Sequence, residues 1–184
     1  MFTLKVDHDI ELQLLERHHA FNLFQLVEEN RDHLREWMPW VDSMNSLYQF
    51  ESIIPVWLTQ FAENSALNVG ILYKGDLVGS IGLNQMDWYN STTSIGYYLA
   101  KKAEGHGVIT RSVQALLNYC FFQLGLNRVE IRCGVKNKKS QAIPERLGFV
   151  KEGIIRDGEQ LNGRFHNLIV YSMLAREWKG TKRK

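Results

Sequence analysis

The hydrophobic period of the chain changes across one short loop, and this change constrains the fold more than any other local feature. Residues 93–99 alternate as a strand does, whereas residues 108–124 place apolar side chains at helical spacing. The loop between them ends in Gly105-His106-Gly107. Glycines permit a tight turn and a close approach of a ligand to the backbone. Because the first amides of a helix lack internal partners and carry partial positive charge, this junction predicts an anion site suited to a diphosphate.

The same junction also has a plain interpretation, as an ordinary turn from a strand into a helix. It is not a dinucleotide-binding fingerprint, since Thr110 stands where the third glycine is required. The Gly-Lys-Ser/Thr of a P-loop is also missing from the sequence here. Taken by itself, the loop leaves an anion site and an ordinary turn as equally good interpretations.

The rest of the chain alternates strands and helices without a repeat or a linker. Pro39 is expected to end the first helix, and Pro55 is expected in the first turns of the second. The predicted elements are a strand or hairpin at 2–15, helices at 17–35 and 50–63, a hairpin of 67–72 and 77–83, a strand at 128–135, a helix at 138–147, and strands at 149–156 and 165–174. This order predicts a single domain over residues 1–184, of mixed α/β (α+β) class, with a mixed sheet.

The composition is that of an ordinary globular protein. A formal net charge of +2 is too small to predict nucleic-acid binding from the field alone. No apolar run is long enough to span a bilayer and no signal peptide is visible, so we predict a cytoplasmic protein that binds no membrane. Cys120 and Cys133 fit buried apolar positions in a reducing compartment, and no Cys/His spacing predicts a metal site.

An ordered set of motifs resembles the GNAT superfamily of acetyltransferases and covers nearly the whole chain. The general motifs are Ile95-Gly96-Tyr97-Tyr98-Leu99, Glu104-Gly105-His106-Gly107-Val108-Ile109-Thr110, Arg128-Val129-Glu130-Ile131, Asn137-Lys138-Lys139-Ser140, Arg146-Leu147-Gly148-Phe149 and Glu152-Gly153. Those that resemble its RimJ/RimL branch are Trp37-Met38-Pro39-Trp40, the segment 77–83 and the segment 159–167. Each motif is weak alone, but the ordered set is specific. The resemblance is greatest to bacterial enzymes that acetylate the N-terminal serine of a ribosomal protein.

The resemblance implies the GNAT fold, a twisted and mostly antiparallel mixed sheet flanked by helices. Two neighbouring parallel strands splay apart in that fold, here 93–99 and 128–135, and receive the pantetheine arm of acetyl-CoA like an added strand. The implied residues for binding this acetyl donor are Leu99, Glu104, Gly105, His106, Gly107, Val108, Ile109, Thr110, Asn137 and Ser140. The resemblance also suggests a homodimer or a higher homo-oligomer.

Two positions depart from the family pattern. The family usually has Gln or Arg where Glu104 stands, and Gly or Ala where Ile109 stands. We therefore expect the diphosphate on backbone amides, with the charge of Glu104 offset by nearby bases: Lys101, Lys102, His106 and Arg111. The basic stretch 136–139 could meet the 3′-phosphate, or could equally be a solvated helix start.

The resemblance also points to the catalytic candidates, Ser140 and Glu159. Acetyl transfer needs a neutral amine, a polarised thioester and a proton donor for the departing thiolate. Many family members use a tyrosine as this donor, but Pro144 stands at that position, so Ser140 is the candidate for contacting the sulfur. Its alternative role is that of a helix-capping residue. Glu159 is the candidate base, acting on the amine through water, and its alternative is an ordinary exposed loop residue. Because Pro144 has no N–H, the carbonyl of Ser140 should also lose its regular helix donor.

Candidates to line an acceptor cleft are Trp37, Trp40, Trp88 and Tyr89, although aromatic residues at such spacings more often pack in a core.

An α-amine has a pKa of about 7.7–8.0 and a lysine about 10.4. An α-amine is therefore neutral more often at pH 7 and needs less help from a catalytic base. We predict direct acetyl transfer, in a ternary complex, to a protein N-terminus of the ribosomal-protein type. One alternative acceptor is a small amine, such as a polyamine, an amino sugar or an antibiotic, which an acidic cleft would favour. The other alternative is a non-catalytic acyl-CoA sensor, which the residues Glu104 and Pro144 suggest.

Overall fold

The computed structural model describes residues 2–180, and an eight-stranded sheet organises them. The strands are β1 (Thr3–Lys5), β2 (Ile10–Leu14), β3 (Leu67–Tyr73), β4 (Asp76–Asp87), β5 (Thr92–Leu99), β6 (Arg128–Gly134), β7 (Val150–Leu161) and β8 (Arg164–Leu174). The helices are α1 (Ala20–Glu29), α2 (Arg31–Leu34), α3 (Leu47–Ala62), α4 (Val108–Asn118) and α5 (Lys138–Arg146). The strand order is β1-β2-β3-β4-β5-β6-β8-β7. The mixed α/β class and the mostly antiparallel sheet are therefore confirmed.

The pair β5 and β6 is the parallel one, as predicted, and it opens along its length. Its paired residues run from Thr92 opposite Arg128 to Ser94 opposite Glu130, and every other neighbouring pair in the sheet is antiparallel. Beyond Ser94, β5 continues to Leu99 without a paired partner on β6. The splay leaves backbone groups of both strands facing a gap in the middle of the sheet.

Two hydrophobic cores cover the two faces of this sheet. The buried face of α4, with Val113, Leu116 and Leu117, belongs to the larger core. A second core joins α1 and α3 through Leu23 and Phe50. Cys120 and Cys133 are free and buried, as the sequence predicted. None of the helices within residues 2–180 is long and apolar enough to cross a membrane.

Several element boundaries differ from the sequence-based predictions. The helix predicted at 17–35 breaks at Asn30, whose side-chain amide donates to the Leu26 carbonyl at 2.9 Å. The second helix begins at Leu47, after a capping box of Ser46 and Gln49, so Pro55 lies in its third turn and not in its first turns. The α-helix predicted to reach residue 124 becomes a π-helical turn after Asn118.

The most consequential difference is in the last hairpin. The strand predicted at 149–156 continues to Leu161, where it turns into β8. Glu159 therefore lies within β7, opposite His166 of β8, and not in an exposed loop. Because a strand fixes the direction of each side chain, this extension determines where the Glu159 carboxyl can reach.

Candidate active site

The loop before α4 has the backbone that its glycines predict. Gly105 and Gly107 have φ of +81° and +69°, in the left-handed region, and Gly107 is the N-cap of α4. A Cβ at Gly105 would meet nothing within 4 Å, and one at Gly107 would meet Arg111 Nε at 3.9 Å. The backbone conformation therefore requires these glycines, and crowding does not. The uncapped first amides of α4 are available to an anion.

This loop forms one wall of a cavity of about 1010 Å³, which we call the larger cavity. The opposite wall is α5 and the segment before it. Basic residues outnumber acidic ones around the whole cavity. The acidic residues are Glu36 and Glu104, and the basic ones are Arg111, Lys136, Lys138, Lys139 and Arg146, with His33 in addition. Such a surround favours an anionic ligand.

The carboxylate of Glu104 has two side-chain partners in this cavity. Its carboxylate lies 2.7 Å from Lys139 Nζ and 3.3 Å from His33 Nε2. These partners differ from those expected. Arg111 instead pairs with Asp7 at 2.7 Å, and the His106 ring stacks on Tyr73 with 5.7 Å between centroids. Glu104 thus bridges α2 and α5 across the loop, and its charge is compensated by side chains that sequence proximity did not identify.

A second, smaller cavity of about 490 Å³ is lined by residues of both splayed strands. Its walls are rich in aromatic and sulfur-containing side chains: Trp37, Met38, Trp40, Met44, Trp57, Tyr97 and Tyr98. Among its described lining residues, the charged ones are Glu159 and Arg132. The Arg132 guanidinium donates to Glu130 at 2.9 Å, so its charge is already paired. The cavity is therefore lined mainly by aromatic, aliphatic and neutral polar side chains with one carboxyl group, and it is not an acidic cleft.

The two cavities meet at a junction where the same side chains line both. The shared residues are Trp37, Met38, Tyr97, Tyr98, Asn137 and Ser140. The junction coincides with the gap between β5 and β6 and with the first turn of α5. A molecule in the larger cavity can thus present a reactive group to a molecule in the smaller one at Ser140.

Contacts from three elements fix Ser140. Its backbone N–H donates to Asn137 Oδ1 at 3.0 Å, so Asn137 is the N-cap of α5, and the Asn137 Nδ2 group is the end that can donate to a ligand. The Ser140 Oγ lies 3.2 Å from both the Tyr97 hydroxyl and Cys133 Sγ. Ser140 is thus a first-turn helix residue and a junction residue at once, so the two predicted alternatives are compatible.

Glu159 reaches the smaller cavity from β7 and is half-buried. Desolvation raises the pKa of its carboxyl group above the ordinary value, and the charge of His166 opposes this shift in part. A less acidic carboxyl is a better proton acceptor at neutral pH. The geometry therefore suits Glu159 to take a proton from a group in the smaller cavity.

Neither cysteine is prepared for covalent chemistry. Burial raises the pKa of Cys133 to about 11 and that of Cys120 to about 12. Both thiols are protonated at neutral pH and are poor nucleophiles. Within residues 2–180, no group of three His, Cys, Asp or Glu side chains could hold a metal ion.

The structure gathers most of the predicted site residues and leaves three outside. Nearly all of the residues predicted to bind the donor line the larger cavity: Leu99, Glu104, Gly105, Gly107, Val108, Ile109, Thr110, Asn137 and Ser140. His106 is the exception. Trp37 and Trp40 line the smaller cavity. Trp88 instead donates its Nε1 to the Asn64 carbonyl at 2.7 Å, Tyr89 is 96% exposed, and neither lines either cavity.

Sequence reasoning missed several residues of the smaller cavity. Trp57, Tyr97 and Cys133 all line this cavity, but their sequence patterns predict no role at the site. The signal for Tyr97 was its position, since it lies on the predicted strand 93–99 beyond the point where the parallel strands part. Side chains of a strand point to the faces of the sheet, so Tyr97 can reach a flanking helix beside the gap.

Known proteins share this architecture. An acetyltransferase (GNAT) domain model matches residues 9–150. The protein YdaF of Bacillus subtilis (strain 168) is 43% identical over 183 residues, which cover 99% of this chain and 100% of YdaF.

Two solved structures superpose closely on the chain. The microcin C7 self-immunity acetyltransferase MccE, in complex with acetyl-CoA and AMP, is 30% identical with a TM-score of 0.89, over 93% of this chain and 95% of that one. RimL, a ribosomal L7/L12 α-N-protein acetyltransferase in complex with coenzyme A, is 26% identical with a TM-score of 0.90. The match covers 94% of this chain and 98% of RimL. The chain therefore belongs to the GNAT acetyltransferase family, and its sheet is the GNAT fold.

Proposed function

We propose that this member of the GNAT acetyltransferase family transfers the acetyl group of acetyl-CoA to the α-amine of a protein N-terminus of the ribosomal-protein type. The observation that carries the proposal is the meeting of two cavities at Ser140. One cavity has a basic, glycine-lined wall, and the other has aromatic walls with a single carboxyl group of raised pKa. The arrangement separates an anionic acyl donor from an amine acceptor and brings their reactive ends together.

The larger cavity fits coenzyme A on grounds of its own geometry. The left-handed glycines and the free amides at the start of α4 suit a diphosphate, and Glu104 is held by Lys139 and His33, so it does not repel that anion as strongly as an unpaired carboxylate. Lys136 and Lys138 add positive charge on the opposite wall. The unpaired backbone of β5 beyond Ser94 offers hydrogen bonds to an amide-containing arm, as an added strand would receive them.

The donor supplies a thioester, whose acyl carbon accepts the amine and whose sulfur leaves as coenzyme A. The C–N bond forms and the C–S bond breaks without an acyl-enzyme, because both cysteines are buried thiols. Glu159 takes the proton that the amine loses, directly or through water. The Ser140 hydroxyl donates a hydrogen bond to the sulfur as negative charge develops there.

The chemistry of the smaller cavity favours an α-amine. A lysine or polyamine nitrogen is almost fully protonated at neutral pH and would be drawn to an acidic cleft. This cavity has one free carboxyl group, and a paired arginine stands beside it. The related RimL acetylates a protein α-amine, which agrees with this preference.

A second acceptor class is supported by the aromatic walls. Three tryptophans, Trp37, Trp40 and Trp57, line the smaller cavity, and indole rings stack readily on nucleobases. The related MccE is known with AMP bound. An aminoacyl-nucleotide, which also carries an α-amine, is therefore the competing acceptor. The sensor alternative loses its support, because Glu104 is charge-compensated and Ser140 stands at the junction.

A turnover screen with acetyl-CoA tests the proposal. The acceptors are peptides that begin with serine or alanine, the same peptides with blocked N-termini, spermidine, an aminoglycoside and a non-hydrolysable aminoacyl-nucleotide. We expect free thiol to be released fastest with the unblocked peptides. Faster thiol release with the aminoacyl-nucleotide would make that compound the acceptor in place of a protein N-terminus. Binding of acetyl-CoA without turnover on any amine would overturn the proposal. The cytoplasmic location and the homo-oligomer stay predictions, and sedimentation of the purified chain tests the latter.

A further inference from the structure

Tyr97 contacts two separate atoms of Ser140. Its hydroxyl donates to the Ser140 carbonyl oxygen at 3.1 Å and lies 3.2 Å from Ser140 Oγ. Tyr97 stands on β5 beyond Ser94, where the strand has left its pairing with β6. The phenol therefore crosses from the sheet to the first turn of α5 at the place where the two cavities meet.

The Ser140 carbonyl can accept this donor because of Pro144. In a regular α-helix the carbonyl of residue 140 accepts from the N–H of residue 144, and proline has none. Pro144 is buried inside α5. Leaving a carbonyl without a hydrogen-bond donor in partly buried surroundings costs folding free energy. The Tyr97 hydroxyl thus replaces a helix hydrogen bond that Pro144 removes.

The count of protons then fixes the direction of the second contact. The Ser140 carbonyl can only accept, so the hydrogen bond to it uses the single proton of the Tyr97 phenol. The Tyr97 oxygen can therefore meet Ser140 Oγ only as an acceptor, so the serine hydroxyl is the donor of that pair. Burial raises the pKa of Tyr97, and the phenol keeps its proton. Cys133 Sγ, at 3.2 Å, occupies a further position around Oγ.

We propose that Tyr97 is the positioning residue of Ser140 and that Pro144 gives it this role. By engaging the proton of the phenol, the freed carbonyl makes Tyr97 a neutral acceptor that holds the serine hydroxyl at the junction. A thiolate is a charged and therefore stronger acceptor, so the Ser140 O–H turns to the sulfur as the C–S bond breaks. No proton leaves Tyr97. This inference rests on the role that the proposed function gives to Ser140.

The first test compares Tyr97→Phe with a matched control. Tyr171→Phe is the control, since the Tyr171 hydroxyl also anchors α5, by donating to Glu145 Oε1 at 2.8 Å, but does not contact Ser140. We expect Tyr97→Phe to lower kcat about tenfold with KM for acetyl-CoA changed by less than about twofold. Tyr171→Phe should lower Tm while kcat stays close to wild type. A wild-type kcat in Tyr97→Phe, or equal losses in both variants, overturns the inference.

The second test separates positioning from stability by adding Pro144→Ala to Tyr97→Phe. Alanine restores an N–H for the Ser140 carbonyl, so Tm should recover, whereas the serine hydroxyl stays unheld and kcat should stay low. If kcat recovers together with Tm, Tyr97 acts through the backbone alone and the inference is wrong. Should Tyr97→Phe fail to fold, this double variant carries the kcat measurement.

The third test is a double-mutant cycle with Ser140→Ala. If Tyr97 acts through Ser140, Tyr97→Phe should have no further effect on kcat in the Ser140→Ala background. If Tyr97→Phe lowers kcat by the same factor in the wild-type and Ser140→Ala backgrounds, Tyr97 acts independently of Ser140. If kcat falls in Ser140→Ala but not in Tyr97→Phe, this inference alone is overturned. If Ser140→Ala keeps the wild-type kcat, the proposed role of Ser140 is overturned as well.

Discussion

The two cavities are built by different means, although they share one junction. The larger cavity depends on a continuous loop, in which Gly105 and Gly107 set the backbone and the start of α4 supplies free amides. The smaller cavity is assembled from residues of α3, α5, β3, β4, β5, β6, β7 and β8 and of the segment around Trp37. Under the proposed function, donor binding depends mainly on the backbone of this loop, whereas acceptor recognition and proton transfer depend on side chains brought together by tertiary packing. Variants of one cavity should therefore change different kinetic constants from variants of the other.

The largest effect is expected from Glu159→Gln in the smaller cavity. Removal of a general base costs about 100-fold or more, so kcat should fall by that order while KM for acetyl-CoA stays near wild type. Glu152→Gln is the matched control on the same strand, because Glu152 pairs with Arg128 at 2.6 Å and lines neither cavity. It should lower Tm and leave kcat unchanged. Steady-state kinetics with a serine peptide provides the measurement, and a large rise in the KM for acetyl-CoA in Glu159→Gln would break the division between the cavities.

The same carboxyl should also be visible in the pH dependence. A neutral α-amine is required, so log kcat/KM falls with a slope of about one below the amine pKa of about 7.7–8.0. Because desolvation raises the pKa of Glu159, a second proton should bind at a pH above the ordinary glutamate range. The slope should steepen to about two there, an added tenfold loss per pH unit. Glu159→Gln should keep a slope of one, and a steepening that survives in this variant would assign the second proton elsewhere.

Glu159→Gln should also stabilise the fold at neutral pH. The raised pKa means that the folded chain binds the proton more tightly than the unfolded chain does. The protonated carboxyl therefore favours the fold, and this stability is lost as the pH rises through the folded pKa. Above that pH the neutral glutamine should have the higher Tm, and below the ordinary glutamate pKa the two proteins should differ least. A lower Tm of the variant at pH 8 would contradict the desolvation of Glu159.

An intermediate effect is expected from Gly107→Ala in the larger cavity. With φ of +69°, an alanine at this N-cap is strained by about 1–2 kcal/mol, which can be relieved by moving the loop away from its anion-binding conformation. We expect KM for acetyl-CoA to rise up to about tenfold with kcat at saturation nearly unchanged. Gly75→Ala has the same kind of strain at φ of +89° in the turn between β3 and β4, outside both cavities. It should lower Tm without changing KM, and an equal change of KM in both variants would disconnect the loop from the donor.

The smallest effect is expected from Glu104→Gln. The change removes a negative charge from the donor wall and releases Lys139 and His33, so the affinity for acetyl-CoA should increase. Exposed ion pairs contribute about 0.2–1 kcal/mol, which limits the gain to roughly fivefold. The gain should shrink as salt is raised, because solvent-exposed charges are screened. Titration of coenzyme A at low and high salt measures it, and a weaker affinity in the variant would show that Glu104 organises the wall.

The sequence predicted most of the donor cavity and less of the acceptor cavity, for reasons visible in particular residues. Gly107 was identifiable because a strand, a glycine pair and a helix are adjacent in the chain. The sequence identifies Glu104 as a charge that needs a partner, but its partners Lys139 and His33 lie on separate elements. Residues that are close in space but far apart in the chain cannot be paired from the sequence alone. The aromatic character of Trp88 predicts a place in the cleft, whereas its indole N–H donates to the Asn64 carbonyl, and Trp88 lines neither cavity.

The sequence by itself determined the family, the strand and helix order, the parallel pair that splays, and the backbone of the loop before α4. Each of these depends on residues that are close in the chain or on motifs in a fixed order. Tertiary structure decided the chemistry at the junction. It extended β7 so that Glu159 enters the smaller cavity and loses water, and it placed the Tyr97 hydroxyl between the two atoms of Ser140. The physical reason is that desolvation and hydrogen-bond direction depend on which side chains meet, and these meetings join residues far apart in the chain.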